Sequence, residues 1–191
     1  MTEPEPLRFR TAVAADIAAV VALVESAYRG NSGRRGWTTE SDLLDGQRTD
    51  AAEVAELLAK PDSVLLLAER AGNLVASCHV EREGEAGYFG MFAVDPAQQA
   101  HGVGRAMLEH AEQLALARWH CRAMVMTVIV QRAELVAWYG RRGYRPTGEY
   151  RPFPYGDVRF GVPRRADLRF AVLRKPLVAV ATSGTRTPAM P

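Results

Sequence analysis

The stretch Val94-Asp95-Pro96-Ala97-Gln98-Gln99-Ala100-His101-Gly102-Val103-Gly104-Arg105 decides the fold. It follows a run of strand formers, Tyr88 to Asp95. It precedes an amphipathic stretch, Gly102 to Trp119, with Val103, Met107, Leu108, Ala111, Leu114 and Ala115 on one face. A strand that turns into a helix through paired glycines readily builds an anion site. The first helical turn has N–H groups without partners, and the helix dipole favours negative charge there. Gly102 and Gly104 let a phosphate approach the main chain, and Arg105 adds a positive charge. A pyrophosphate is the ligand expected of such a turn. A Walker loop is excluded because no Lys-Ser/Thr follows the glycines. A Rossmann turn is excluded because Met107 stands where the third glycine belongs.

Downstream, Met124 to Val130 is an unbroken β-rich run suited to a strand covered on both faces. Ala133 to Arg142 reads as a helix closed by Gly143. Strand, helix and strand over Tyr88 to Val130 predict a parallel β-α-β crossover, because so long a helix carries the chain back across the sheet. Tyr144 to Arg151 and Leu168 to Lys175 read as closing strands around a Pro/Gly-rich insertion, Tyr150 to Arg165. Upstream, Leu7 to Arg10 reads as a strand and Thr11 to Tyr28 as a helix with Thr11 as N-cap. Arg29 to Gly36 reads as a loop, and Ala51 to Lys60 as a helix stopped by Pro61. Val64 to Glu69 and Leu74 to Val80 flank a turn at Ala71-Gly72-Asn73, and Glu83 to Gly87 is a second turn. The expected class is α/β with one mixed sheet: antiparallel N-terminal strands and a central parallel β-α-β unit. One domain is expected over residues 1–181, with residues 182–191 as a disordered polar tail.

Composition narrows the function classes. The 191 residues carry a net charge of +2, so the footprint of a nucleic-acid binder is absent, and no nucleic-acid partner is expected. Arginines do gather late, at Arg141, Arg142, Arg145, Arg151, Arg159, Arg164, Arg165 and Arg169, as a solvated face or as partners of an anionic ligand. No apolar run approaches the roughly 20 residues that span a bilayer, and the N-terminus has no signal-peptide character. The expectations are therefore no membrane partner and a cytoplasmic location. Cys78 and Cys121 sit in apolar runs without zinc-site spacing, so buried reduced thiols and no metal are expected.

The pattern Q-x-x-G-x-G of Gln99, Gly102 and Gly104, after V-x-P, resembles motif A of the GNAT N-acetyltransferases. Arg132 to Tyr144 resembles the family's later signature, a helix ending in Y-x-x-x-G-Y/F, with Tyr139 on the family's tyrosine. The resemblance covers Leu7 to about Leu177 and is specific over Tyr88 to Glu149. It departs at Arg132, where the family often has an Asn that meets the pantetheine arm. The resemblance implies the acyl-CoA N-acyltransferase fold with acetyl-CoA as co-substrate. It implies cofactor contacts from Phe92, Val94, Gln99, Ala100, His101, Gly102, Val103, Gly104, Arg105 and Arg132. The main chain at Phe92 and Val94 would pair with pantetheine in a gap between splayed strands. The implied reaction is direct attack of a primary amine, of a small molecule or a peptide, on the acetyl carbonyl. Tyr139 would be the donor to the departing thiolate; its alternative is a packing aromatic on an amphipathic helix. Homodimers are common in the family, so a homodimer is among the implied partners.

The base is not legible. Glu40, Glu69, His79 and Glu81 are candidates, each with an ordinary structural alternative. Trp37 and Glu40 follow a glycine-rich loop that borders the acceptor in this fold and could hold an amine through ring face and charge. Their alternative is a helix-capping motif at Thr38 or Thr39. Phe153 and Tyr155, with Phe160, lie among prolines in the insertion, as acceptor-contacting aromatics or as cover for a sheet edge. Glu40, Asp42 and Asp45 weakly favour a cationic acceptor. A second reading of the whole chain is an acyl-CoA-binding sensor that has lost turnover.

Overall fold

Alternate residues of Ser63–Arg70 face two different cores, which sets the layering of the molecule. Leu65 and Leu67 pack with Val20, Val24 and Val54, whereas Leu66 and Ala68 pack with Met107, Leu108 and Ala111. A strand covered on both faces carries such an unbroken apolar run. The computed structural model describes residues 5–28, 40, 42–99, 101–157 and 161–178. The elements are β1 (Arg8–Thr11), α1 (Ile17–Tyr28), β2 (Leu44–Asp45), α2 (Ala51–Ala59), β3 (Ser63–Arg70), β4 (Asn73–Glu83), β5 (Ala86–Val94), α3 (Val103–Trp119), β6 (Ala123–Ile129), α4 (Ala133–Gly140), β7 (Arg145–Pro152), β8 (Val162–Pro163) and β9 (Arg169–Pro176). Among the described residues, the main sheet runs β1-β3-β4-β5-β6-β9-β7, with α1 and α2 packed on one face and α3 on the other.

The expected mixed sheet is present. Its one parallel pair is β5 with β6, joined by α3. Two expectations need correction. Thr11 does not cap a helix; it ends β1 opposite Leu66. The chain enters α1 through a short 3-10 turn, Ala14–Asp16, where the Asp16 carboxylate accepts from the Val13 N–H at 2.8 Å. The turn after β4 is also tighter than expected, since β4 reaches Glu83 and β5 starts at Ala86. The Pro/Gly-rich insertion carries a short strand of its own. Its β8 pairs antiparallel with β2, and Phe153 and Leu168 pack with Leu44 and Ile129 beneath it. The Arg29 to Gly36 loop and the tail from residue 182 lie outside the described residues.

One irregularity shapes the middle of the sheet. Ser77 pairs with Ala93 and His79 with Gly90, so β5 spends one more residue than β4 over this interval. The extra residue is a β-bulge, with Met91 at φ +42°. Parallel pairing of β5 with β6 stops at Tyr88 opposite Val125, while β6 goes on pairing with β9 as far as Ile129 opposite Phe170. Beyond Tyr88 the two parallel strands therefore diverge, and a gap opens between Phe89–Val94 and Met126–Ile129.

Candidate active site

The gap exposes main-chain groups of known direction. The Asp95 N–H donates to the Val75 carbonyl on β4. Backbone groups alternate sides along a strand, so those of Val94 point the other way, towards β6. The Val94 carbonyl accepts from Gln99 Nε2 at 3.4 Å, and the Phe92 carbonyl accepts from the Tyr28 hydroxyl. The motif glutamine thus braces the strand end whose main chain was expected to meet pantetheine. Tyr28 does the same for the neighbouring position.

Next to this strand lies a cavity of about 600 Å³, lined by Val94, Gln99, Gly102, Gly104 and Arg105, by the α4 residues Glu134, Ala137 and Trp138, and by Arg141 and Arg142 just past the end of α4. Gly102 sits at φ +75° as the N-cap of α3, and no side chain caps that helix. The first-turn amides there are available to an anion. A Cβ on Gly104 would lie 3.3 Å from Phe92 Cζ and 3.6 Å from Trp138 Cζ2, so glycine is also required by packing. Val103 turns its side chain into the core, leaving only its main chain to a ligand. His101 is exposed, and Ala100 lies outside the described residues. Arg105 is paired with Glu109 at 2.7 Å along the helix. Arg142 lies 3.4 Å above the Trp138 ring, and its Nε is buried without a partner. Burial, then Arg141 and Arg105, push the Arg142 pKa down. Three guanidiniums crowding an uncapped helix start, one with an orphaned donor, fit a diphosphate.

The opposite face of α4 lines a second, smaller cavity of about 120 Å³. Tyr139 and Leu135 face it from the helix, and Tyr88, Met91, Phe92, Thr127 and Ile129 from the diverging strands. Tyr139 is buried, with its ring edge-on to Trp138 and Tyr144 at 5.0 and 5.8 Å. Its hydroxyl has no hydrogen-bond partner among the described residues. Burial, reinforced by Tyr28, drives its pKa upward, so the phenol stays a neutral donor. Arg132, expected at the cofactor, turns into this second cavity and pairs with Glu40 at 2.9 Å, both side chains being 9% exposed.

Of the four base candidates, Glu40 alone lines a cavity with Tyr139. Glu69 pairs with Arg10 near the β1 edge of the sheet. Glu81 pairs with Lys60 at 2.6 Å. His79 is buried, and its Nε2 lies 2.9 Å from Ser63 Oγ. The Ser63 proton goes to the Leu57 carbonyl, so His79 is the donor in that contact. Burial pushes the His79 pKa down to about 4. Phe153 is buried in the small core under the insertion. The Tyr155 hydroxyl donates to the Arg165 carbonyl and accepts from the Leu168 N–H. Both aromatics hold the insertion together and neither lines the Tyr139 cavity. Trp37 and Phe160 lie outside the described residues. Asp45 is taken by Arg164 at 2.6 Å, whereas Glu40 shares its charge with Arg132 at 2.9 Å, so of the expected pull on a cation only that of Asp45 is spent. Tyr28 and Arg48 carried no signal in the sequence: one ends an apolar helix, the other sits in a polar connection.

The sequence model of the acetyltransferase (GNAT) family matches residues 23–144. The chain belongs to the GNAT acetyltransferase family. Among curated proteins it is similar to an IAA acetyltransferase of Azospirillum brasilense, 30% identical over 100 residues. That match covers 51% of this chain and 65% of the relative, less than two thirds of its length. Among solved structures, it resembles the ribosomal-protein-S18-alanine N-acetyltransferase of Escherichia coli, with a TM-score of 0.66 at 15% identity over 93% of this chain and 98% of that one. A ribosomal-protein-alanine N-acetyltransferase of Brucella melitensis gives a TM-score of 0.66 at 17% identity, covering 89% of this chain and 99% of the other. At these identities the structural likeness concerns the fold. Within the described residues, no helix is long and apolar enough to cross a membrane, and no cluster of His, Cys, Asp or Glu could hold a metal ion.

Proposed function

We propose that this GNAT acetyltransferase transfers an acetyl group from acetyl-CoA to a primary amine by direct attack within a ternary complex. The observation that carries the reading is the pair of cavities on the two faces of α4, beside the divergence of β5 from β6. Acetyl-CoA, when bound, supplies an activated acyl group on a thiol leaving group. The amides at Gly102 to Gly104 and the arginines Arg105, Arg141 and Arg142 hold its diphosphate. The gap-facing main chain of Phe92 and Val94 aligns its arm, and Tyr139 waits at the reacting end.

The residues divide the proton work. A lysine-like amine of pKa ~10.4 is neutral in roughly one molecule in a few thousand at pH 7, so a proton must leave before or during attack. The Glu40 carboxylate, oriented by Arg132, attracts the ammonium and takes the proton directly or through water. Tyr139 donates a hydrogen bond to the thiolate as the bond breaks. With its pKa driven above the ordinary ~10, it remains a much weaker acid than a thiol near ~8.5. Stabilisation by hydrogen bonding is therefore favoured over full proton transfer.

The test is acetyl-CoA incubated with the purified chain and a broad library of primary amines, followed by thiol release and product mass. Amine-dependent release of CoA, with a product heavier by one acetyl group, is the expected outcome. CoA binding without turnover on any amine would replace this reading with that of a sensor.

A further inference from the structure

We infer that the acceptor amine also carries an anionic group, in the class of small amino carboxylates, and that Arg48 binds that anion. The inference rests on the acetyl-transfer reading and names its second substrate. Arg48 is half-buried and lines the 120 Å³ cavity together with Tyr139, Tyr28, Glu40 and Arg132. Its main chain is fixed from below, because Glu25 Oε1 accepts from the N–H groups of both Arg48 and Thr49. Its guanidinium lies 5.2 Å from the centroid of the Tyr28 ring, and that of Arg132 lies 5.8 Å from the same centroid. Two cations thus flank one aromatic ring at the cavity wall.

None of the neighbouring carboxylates forms an ion pair with Arg48. Glu40 pairs with Arg132 at 2.9 Å, Glu25 holds the main chain, and Glu53 accepts from Thr49 Oγ1 at 2.8 Å. Among the described residues, Arg48 has no ion pair, and residues 29–39 of the sequence contain no Asp or Glu. The cavity therefore holds two guanidiniums against one carboxylate. Glu40 and Glu53 act on Arg48 from a distance and keep it charged despite burial, but neither contacts it, and its planar fork matches a carboxylate with two parallel hydrogen bonds. A free amino acid presents both complements, an ammonium for Glu40 and a carboxylate for Arg48. A polyamine would instead set a second cation against Arg48, and a peptide N-terminus would offer only a neutral carbonyl.

The test compares three matched series with acetyl-CoA and the full chain: L-amino acids, their amides, and the amines that lack the carboxyl group. The expected result is a kcat/KM at least about tenfold higher for the carboxylates. Arg48→Gln should raise KM for the carboxylates by about tenfold, Arg48→Lys should recover part of that loss, and CoA affinity by calorimetry should stay at the wild-type value. Amides or polyamines acetylated as well as carboxylates would overturn the inference. So would an Arg48→Gln variant with an unchanged carboxylate-to-amide ratio. If no amine is turned over, acetyl transfer fails first, and the anion site is read by binding. Saturation-transfer NMR of amino acids on the CoA complex would then support it by a signal lost in Arg48→Gln, and overturn it by no signal in the wild type.

Discussion

Two residues at the site make opposite demands on the main chain and on the side chain. Gly102 needs its left-handed φ of +75°, yet a Cβ there meets nothing within 4 Å. Gly102→Ala should therefore cost about 1 kcal/mol of stability through backbone strain, measured by urea unfolding. Gly104 has an ordinary φ but faces Phe92 Cζ, Trp138 Cζ2 and Val94 Cγ2. Gly104→Asp would push these rings apart and set a negative charge beside the helix start. Calorimetric CoA binding should be lost, and unchanged affinity would remove the diphosphate from that turn. Tyr139 is a test of a different kind, because its hydroxyl has no hydrogen-bond partner among the described residues while its ring meets Trp138 and Tyr144 edge-on. Tyr139→Phe keeps the rings and removes one donor aimed at developing charge. The expected loss is on the order of a hundredfold in kcat with little change in CoA affinity. Wild-type turnover would remove Tyr139 from the chemistry.

At the level of elements, the strands and helices were legible wherever one periodicity dominated. The β3 run, the long helix α3 and the hairpin at Ala71-Gly72-Asn73 announce themselves, and Gln99, Gly102, Gly104 and Tyr139 carry a spacing. What stayed hidden depends on tertiary register. The bulge at Met91 sits beside Gly90, but one glycine inside an apolar run does not say which residue is extra; that depends on the pairing of β5 with β4. Arg48 and Tyr28 join the cavity only because α1 packs against β5 and Glu25 reaches the chain at 48–49. The β3–β4 pair hides another consequence of register, since Leu65 opposite His79 sets Ser63 within reach of the imidazole. Burial holds His79 near pKa 4, below its unfolded value of ~6.5. Between these values the unfolded chain binds the extra proton, so stability is full above pH ~6.5 and falls as the pH drops towards 4. The drop attributable to this residue is roughly 3 kcal/mol. His79→Gln should flatten that part of the pH profile in urea unfolding, whereas an unchanged slope would place the titration elsewhere.

For the whole molecule, the question is whether the acyl group ever rests on the protein. A covalent route needs an accessible, activated nucleophile at the reacting end. Cys78 is fully buried in the α3-side core, and burial drives its thiol pKa far upward, away from the reactive thiolate. Cys121 is buried in the same core, and desolvation raises its thiol pKa as well. Neither cysteine lines either cavity on α4. Among the described residues lining the smaller cavity, the one Ser or Thr hydroxyl is that of Thr127, which lies 3.2 Å from the Tyr88 hydroxyl and has no base beside it in that contact. The fold instead places two cavities on the two faces of a single helix, and in the proposed reaction they hold both substrates together. Initial rates measured over a grid of acetyl-CoA and amine concentrations should give intersecting double-reciprocal lines. A Cys78→Ala, Cys121→Ala double variant should keep the same pattern, with any loss appearing in stability because two core side chains are trimmed. Parallel lines, or an acetylated protein trapped in the absence of amine, would mean that the acetyl group passes through a side chain and that direct attack is wrong.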